Sequence, residues 1–338
     1  MKSLIEVDNL KVHFPIGRPR LFGKKQQLLK AVDGISFKIK VGETLGLVGE
    51  SGSGKTTLGR AVLRLIEPTA GEISVQFNGE AVNLTDLNQK ELRHHWRNMQ
   101  MIFQDPYSSL NPRMTVKEII GESLLANKLA SGKELEEKVV YIADLCNLNV
   151  QQLGRYPHAF SGGQRQRIAI ARALVMRPQF IVADEPVSSL DVSIQAQILN
   201  LLKDLQKELG LTYLFIGHDL NTVAYACDRV AVMYLGQIVE LASTERLYNT
   251  PKHPYTEALM SAIPSLDPEE SMQNVLLEGE QPNPADPPTG CYFHPRCRYA
   301  DKDKCLSQKP PFCEMSDDWF VACHFADKLK LKGALDYS

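Results

Sequence analysis

The sequence predicts an α/β fold built on a mostly parallel sheet covered on both faces, and three observations carry that reading. Short apolar runs recur along the chain: Thr44-Leu45-Gly46-Leu47-Val48, Phe180-Ile181-Val182-Ala183, Tyr213-Leu214-Phe215-Ile216 and Val230 to Met233. Helical segments separate them, and strands buried on both faces read as continuous apolar runs rather than alternating ones. One run passes through a glycine-rich turn straight into a helix, as a parallel α/β unit requires.

Taken in order, Leu10, Val12 and Phe14 alternate with Lys11 and His13, which predicts an early half-buried strand. Residues 17–30 are basic and punctuated by Gly and Pro, and read as an exposed loop. After the strand ending at Val48, Leu58, Ala61, Val62, Leu65 and Ile66 fall at helical spacing. Residues 115–153 are rich in helix formers and hold no short buried strand, so a helical subdomain is expected, inserted over about 105–165. Residues 1–250 thus read as one body with an insertion, and 251–338 as an extension. There the composition turns to Pro, Cys and polar residues. Pro282, Pro284, Pro287 and Pro288 mark a linker before a small Cys-rich tail.

The 338 residues suffice for about two domains. They are 43% hydrophobic and 23% charged with a formal net charge of -2, which gives no bulk electrostatic reason to bind nucleic acid. Acidic residues interrupt Met1 to Asp8 at once, so no signal-peptide core is present there. No apolar run approaches the ~18 residues of a spanning helix. A cytosolic chain that meets a membrane only through partners is expected.

Gly49-Glu50-Ser51-Gly52-Ser53-Gly54-Lys55-Thr56 matches G-x-x-x-x-G-K-[ST] between a predicted strand and a predicted helix. Glycines let the backbone curl until its N–H groups surround phosphate oxygens, and the positive end of the helix points at the same charge. Lys55 would neutralise the β- and γ-phosphates of ATP and Thr56 would ligate Mg²⁺, with the cradle running on to Thr57. Asp184, at the end of a buried run, supplies the second metal-holding acid. Glu185 beside it is placed to act as general base on the attacking water. Ser161-Gly162-Gly163-Gln164 opens the helix carrying Ile168, Ala171 and Leu174, a second anion-binding helix start. Two cradles suit two chains facing head to tail better than one nucleotide in one chain.

Here the sequence resembles the ABC ATPases, a branch of the P-loop NTPases whose signature is SGGQ. Phe103-Gln104-Asp105, Ser189-Leu190-Asp191 and Gly217-His218-Asp219 match the family's remaining motifs in order. The resemblance implies that Gln104 senses nucleotide and contacts Mg²⁺ or water, that Asp191 lies across a dimer interface, and that His218 holds the γ-phosphate. Phe160 and Gly217 depart from the commoner Leu and Ser without removing a phosphate-contacting group. Phe14 aligns with the aromatic that stacks on adenine, although its alternation equally allows a core role.

Within the family the chain looks most like dipeptide/oligopeptide importer ATPases, through Met101 to Arg113, His253 to Leu259 and the cysteine tail. The 17–30 insertion and the QDPYSSLNPR stretch look like the F-type of the two ATPase subunits such importers use. That implies a heterodimer with a D-type ATPase at the cytoplasmic face of the membrane, beneath two integral membrane permease subunits fed by an extracytoplasmic solute-binding protein. Related systems take nickel, haem precursors or antimicrobial peptides, and non-transport ABC ATPases are the rival class.

Cys291, Cys297, Cys305, Cys313 and Cys323 crowd the last fifth of the chain, whereas Cys146 and Cys227 are isolated. In a reducing compartment such a cluster reads as metal binding before disulfides. The spacing lacks the paired C-x-x-C of common zinc sites, yet four thiolates suit either zinc or a cubane iron–sulfur cluster. The family resemblance, through GCYFHPRCRYA and VACHF, implies a [4Fe–4S] cluster on Cys291, Cys297, Cys305 and Cys323, with Cys313 extra. Because the tail lies outside every phosphate motif, nucleotide binding is expected to survive loss of the cluster, whose use would be in docking or assembly.

Overall fold

The computed structural model describes residues 2–17, 26–263, 277 and 279–334. Its strands are β1 (Ser3–Ile16), β2 (Gln27–Lys40), β3 (Thr44–Val48), β4 (Ala70–Phe77), β5 (Glu80–Asn83) and β6 (Met99–Ile102). The rest are β7 (Phe180–Asp184), β8 (Thr212–Ile216), β9 (Arg229–Tyr234), β10 (Gln237–Ser243), β11 (Cys313–Ser316) and β12 (Trp319–Val321). They form an eight-stranded sheet in the order β11-β12-β10-β9-β3-β8-β7-β6 and a four-stranded sheet in the order β2-β1-β4-β5.

The apolar runs of the sequence are the heart of the larger sheet. β3 pairs parallel with β8 and β9, and β7 pairs parallel with β8 and β6. Every residue of β3, β7, β8 and β9 is buried, which is why these strands show no alternation. The second sheet is antiparallel and was not legible beyond β1. In β2, residues 27–30 belong to the strand rather than to a loop, paired with His13 to Ile16; residues 18–25 of the expected loop lie outside the described residues. The helix after β3 spans Lys55–Val62 and stops short of Leu65 and Ile66, because Arg64 takes a left-handed backbone (φ 55) that a helix cannot continue through.

Leu58, Ala61 and Val62 pack on one core with Ile5, Leu10, Val12 and Ile35 of the antiparallel sheet. A second core joins the helices Val116–Ala126, Gly132–Leu145 and Gly162–Leu174 to the other face of the large sheet. The chain beyond residue 250 shares that second core through Tyr255, Phe293, Trp319 and Val321, and β12 pairs with β10 at Glu240↔Val321. At this join Glu240, fully buried, accepts hydrogen bonds from the backbone N–H of Lys252 and His253 and from Trp319 Nε1. Those three donors offset the cost of burying a carboxyl group, whose ionisation burial opposes.

Candidate nucleotide site

The loops that leave the C-terminal ends of β3, β6, β7 and β8 meet in one crevice, where parallel sheets present ligand-binding residues. The loop after β3 holds Gly49 to Gly54. It cannot carry side chains at its ends: a Cβ on Gly49 would stand 2.1 Å from the Met233 carbonyl, and one on Gly54 2.0 Å from the Ala31 carbonyl. Both glycines have positive φ, so the loop is pressed against β2 and β9 in a shape only glycine tolerates. Ser53 and Lys55 are buried, Glu50 and Gly54 half-buried, and Ser51 and Gly52 open to solvent. Gly54 is the N-cap of the helix Lys55–Val62 and supplies no side-chain cap, so the helix's first amides stay available to a ligand.

Lys55 Nζ donates to the carbonyls of Gly49 (2.8 Å) and Glu50 (3.0 Å). Burial lowers its pKa, with Glu185, Asp184 and Glu50 acting in the opposite direction. Thr56 Oγ1 donates to Asp184 Oδ1 at 3.0 Å, which brings together the two metal-holding groups read from the sequence; Thr57 follows on the same helix. Burial raises the pKa of Asp184, and the Thr56 hydrogen bond counters it.

Glu185 sits just past β7 with φ 45, a left-handed backbone costing about 1–3 kcal/mol in a non-glycine residue, and such strain gathers at functional sites. Its Oε2 accepts from Gln104 Nε2 at 2.9 Å and lies 3.1 Å from His218 Nδ1. Gln104, Glu185 and His218, spread over three loops, therefore converge on one carboxylate oxygen. An acid with an amide donor and an imidazole beside it can take a proton from water while both neighbours orient the reacting groups.

The helix Gly162–Leu174 starts elsewhere. Ser161 is exposed and shares a capping box with Gln164, each bonding the other's backbone N–H. Leu190 lies 3.5 Å from where a Cβ on Gly162 would stand, and one on Gly163 would meet Ile194 at 2.6 Å, so this helix start adjoins the Asp191 loop. Asp191 is exposed and caps the helix Val192–Leu209, accepting from Ile194 N at 3.0 Å. Phe14, 36% exposed near the end of β1, faces solvent while Leu10 and Val12 are buried, so it is not a core residue.

Residues 32–188 match the family described as ABC transporter, and residues 239–305 the family described as oligopeptide/dipeptide transporter, C-terminal region. The chain is 50% identical over 326 residues to the oligopeptide transport ATP-binding protein AppF of Bacillus subtilis (strain 168), covering 96% of this chain and 97% of that one. The chain belongs to the ABC transporter ATP-binding subunits. It is 51% identical over 324 residues to oligopeptide transport ATP-binding protein OppF of Haemophilus influenzae, with 95% of this chain and 96% of the relative covered. Among solved structures, a dimeric post-hydrolysis state of the ATP-binding cassette MJ0796 bound to ADP and Pi superposes with TM-score 0.62 at 28% identity, covering 71% of this chain and 99% of that one. As an ABC ATPase the chain works on ATP with Mg²⁺, alongside membrane permease subunits; no helix among the described residues is long and apolar enough to cross a membrane.

The tail brings four of its cysteines together. Cys291, Cys297, Cys305 and Cys323 line one small pocket with His253, Tyr299, Phe325 and Leu329, while Cys313 is exposed on β11. Burial pushes the thiol of Cys291 up to about 11 and that of Cys297 up to about 12, and raises Cys323 as well. Three thiols disfavoured as thiolates around one pocket suit a cationic group that would reverse that penalty. Among the described residues, however, no three His, Cys, Asp or Glu side chains stand close enough to hold a metal ion. His294 and His324 also border the pocket, and each has a ring nitrogen against a backbone carbonyl, of Cys291 and Gln308 respectively.

The tail touches the glycine-rich loop directly. Arg296, beside Cys297, grips the Glu50 carboxylate with two hydrogen bonds of 2.8 and 3.1 Å, and Glu50 N donates to the Tyr255 hydroxyl at 2.9 Å. Sequence reading passed over Arg296 and Tyr255, although both fall inside the HPYTEAL and GCYFHPRCRYA stretches that carried the family resemblance.

Proposed function

We propose that this chain powers the uptake of dipeptides or oligopeptides across the cytoplasmic membrane, seated peripherally on its cytoplasmic face. The observation that carries the peptide reading is identity of about half over nearly the full length to relatives named as oligopeptide transport ATP-binding proteins, together with the matched C-terminal region. Gly49 to Thr57 hold the triphosphate through backbone amides, and Lys55 leaves its two carbonyl partners to meet the β- and γ-phosphates. Phe14 stacks on adenine. Thr56, Asp184 and Gln104 hold Mg²⁺, which when bound neutralises charge between the β- and γ-phosphates. Glu185 accepts the proton of the attacking water, and His218 holds the γ-phosphate end.

Ser161, Gly162, Gly163 and Gln164 serve the nucleotide of a second, D-type ATPase chain, with Asp191 at the shared interface; the dimeric state of the MJ0796 cassette supports this reading. Two permease subunits and an extracytoplasmic solute-binding protein complete the importer. The cysteine pocket takes a [4Fe–4S] cluster. Iron is favoured over zinc because the cysteine spacing lacks C-x-x-C and the tail resembles that of the importer family. Such a group would add local folding energy where the tail has little core of its own.

The test is reconstitution with the permeases, the second ATPase and the binding protein in vesicles. ATP-dependent accumulation of a labelled di- or oligopeptide is expected, and accumulation of nickel or haem precursor in its place would refute the peptide assignment. Anaerobically purified chain is expected to be brown with about four irons and four sulfides, bleached by Cys297→Ser and unchanged by Cys313→Ser. Colourless protein holding one equivalent of zinc would sink the cluster.

A further inference from the structure

The phosphate loop contains a carboxylate that cannot serve the phosphates. Glu50 is its second residue, and an anion beside a triphosphate repels it. The structure ties this residue down at three points. Its carbonyl accepts from Lys55, its N–H donates to the Tyr255 hydroxyl, and both carboxylate oxygens accept from Arg296. Two of those three ties come from beyond residue 250, and the Arg296 side chain is only 8% exposed.

The parts that hold Arg296 are equally specific. It closes a tight turn in which His294 N donates to the Cys291 carbonyl at 3.0 Å and Cys297 N to the His294 carbonyl at 3.3 Å. Cys291 and Cys297 thus bracket the arginine, and Phe293 in the same turn packs edge-on to Tyr234 and tilted to Tyr255, with ring centroids 5.3 and 5.4 Å apart. The Tyr255 ring that carries the Glu50 N–H bond therefore rests on the turn that aims Arg296.

We propose that Arg296 is a positioning residue for nucleotide binding: it neutralises and orients Glu50, so the cysteine turn of the extension sets the shape and charge of the phosphate loop. A guanidinium fork meets both carboxylate oxygens at once, which fixes direction as well as charge. Release of the turn frees the carboxylate to swing toward the phosphates and loosens the loop that must present its amides to them. The inference rests on Gly49 to Thr56 being the nucleotide cradle.

A charge-specific double-mutant cycle on the full-length chain tests it, read as the Kd of a fluorescent N-methylanthraniloyl ATP with Mg²⁺. Arg296→Met is expected to weaken binding about tenfold, the loss typical of a hydrogen-bonded charge pair. In the Glu50→Gln background the same substitution is expected to cost under about twofold, because no unpaired carboxylate remains. Arg296→Lys, which keeps the charge and loses the fork, should fall between wild type and Arg296→Met. An Arg296→Met chain that binds like wild type would overturn the proposal. So would an equal loss in both backgrounds, which would make Arg296 a packing residue only. Lys55→Ala separates the two claims: if it still binds nucleotide normally, the cradle assignment fails first.

Discussion

The two helix starts proposed as phosphate sites differ in what already occupies them. At the helix Lys55–Val62 the N-cap is a glycine, no side chain bonds the first amides, and Lys55 rests buried on two carbonyls of the same loop. At the helix Gly162–Leu174 the N-cap is Ser161, closed with Gln164 into a capping box and exposed. The first start is held in shape by the fold and left open; the second is satisfied by its own side chains. On the proposed two-chain reading such self-capping is useful, since uncapped exposed amides would cost stability while the second chain is absent.

The largest expected effect breaks the chemistry on the first side of this comparison while sparing its binding. Glu185→Gln should lower ATP turnover at this chain's site at least ~100-fold in the assembled transporter, with nucleotide still bound. Near-normal single-site turnover would remove Glu185 from the role of base. Next comes the second helix start. Ser161→Arg, which fills the signature cradle, should impair hydrolysis at the partner's nucleotide by about tenfold or more, on the scale of a lost charge-assisted contact. Unchanged turnover at that site would mean that the signature does not act across the interface.

Much of the first helix start was legible because strand, glycine turn, lysine and helix are contiguous. β3, β7, β8 and β9 were equally plain, since burial on both faces leaves only apolar residues. Glu185 was legible from its place after a buried run, whereas Gln104 and His218 came only through family resemblance, and the shared Glu185 oxygen could not be read from spacing. The antiparallel sheet was mostly hidden: the start of β2 carries Gln27 and Lys30 on an exposed stretch that reads as loop. Least legible was the Arg296–Glu50 pair, 246 residues apart, because nothing in either stretch marks the other as a partner. The pair also joins the two sides of the composition boundary near residue 250, where the extension supplies a strand to the large sheet and an ion pair to the glycine-rich loop.

The smallest effect concerns the caps themselves. Ser161→Ala should cost the isolated chain about 0.5–2 kcal/mol of stability by removing the N-cap, seen as a lower urea midpoint with unchanged slope. Gly54 gives no such cap to lose. A Ser161→Ala chain as stable as wild type would show that the capping box does not satisfy this helix start in solution.

The most direct test of the contrast is equilibrium titration of the isolated full-length chain with Mg²⁺ and a fluorescent ATP analogue, comparing wild type, Lys55→Ala and Ser161→Arg. One nucleotide per chain is expected for wild type, the same affinity for Ser161→Arg, and loss of binding for Lys55→Ala. A Ser161→Arg chain that loses affinity as severely as Lys55→Ala would contradict the account, because the two helix starts would then serve one nucleotide within one chain.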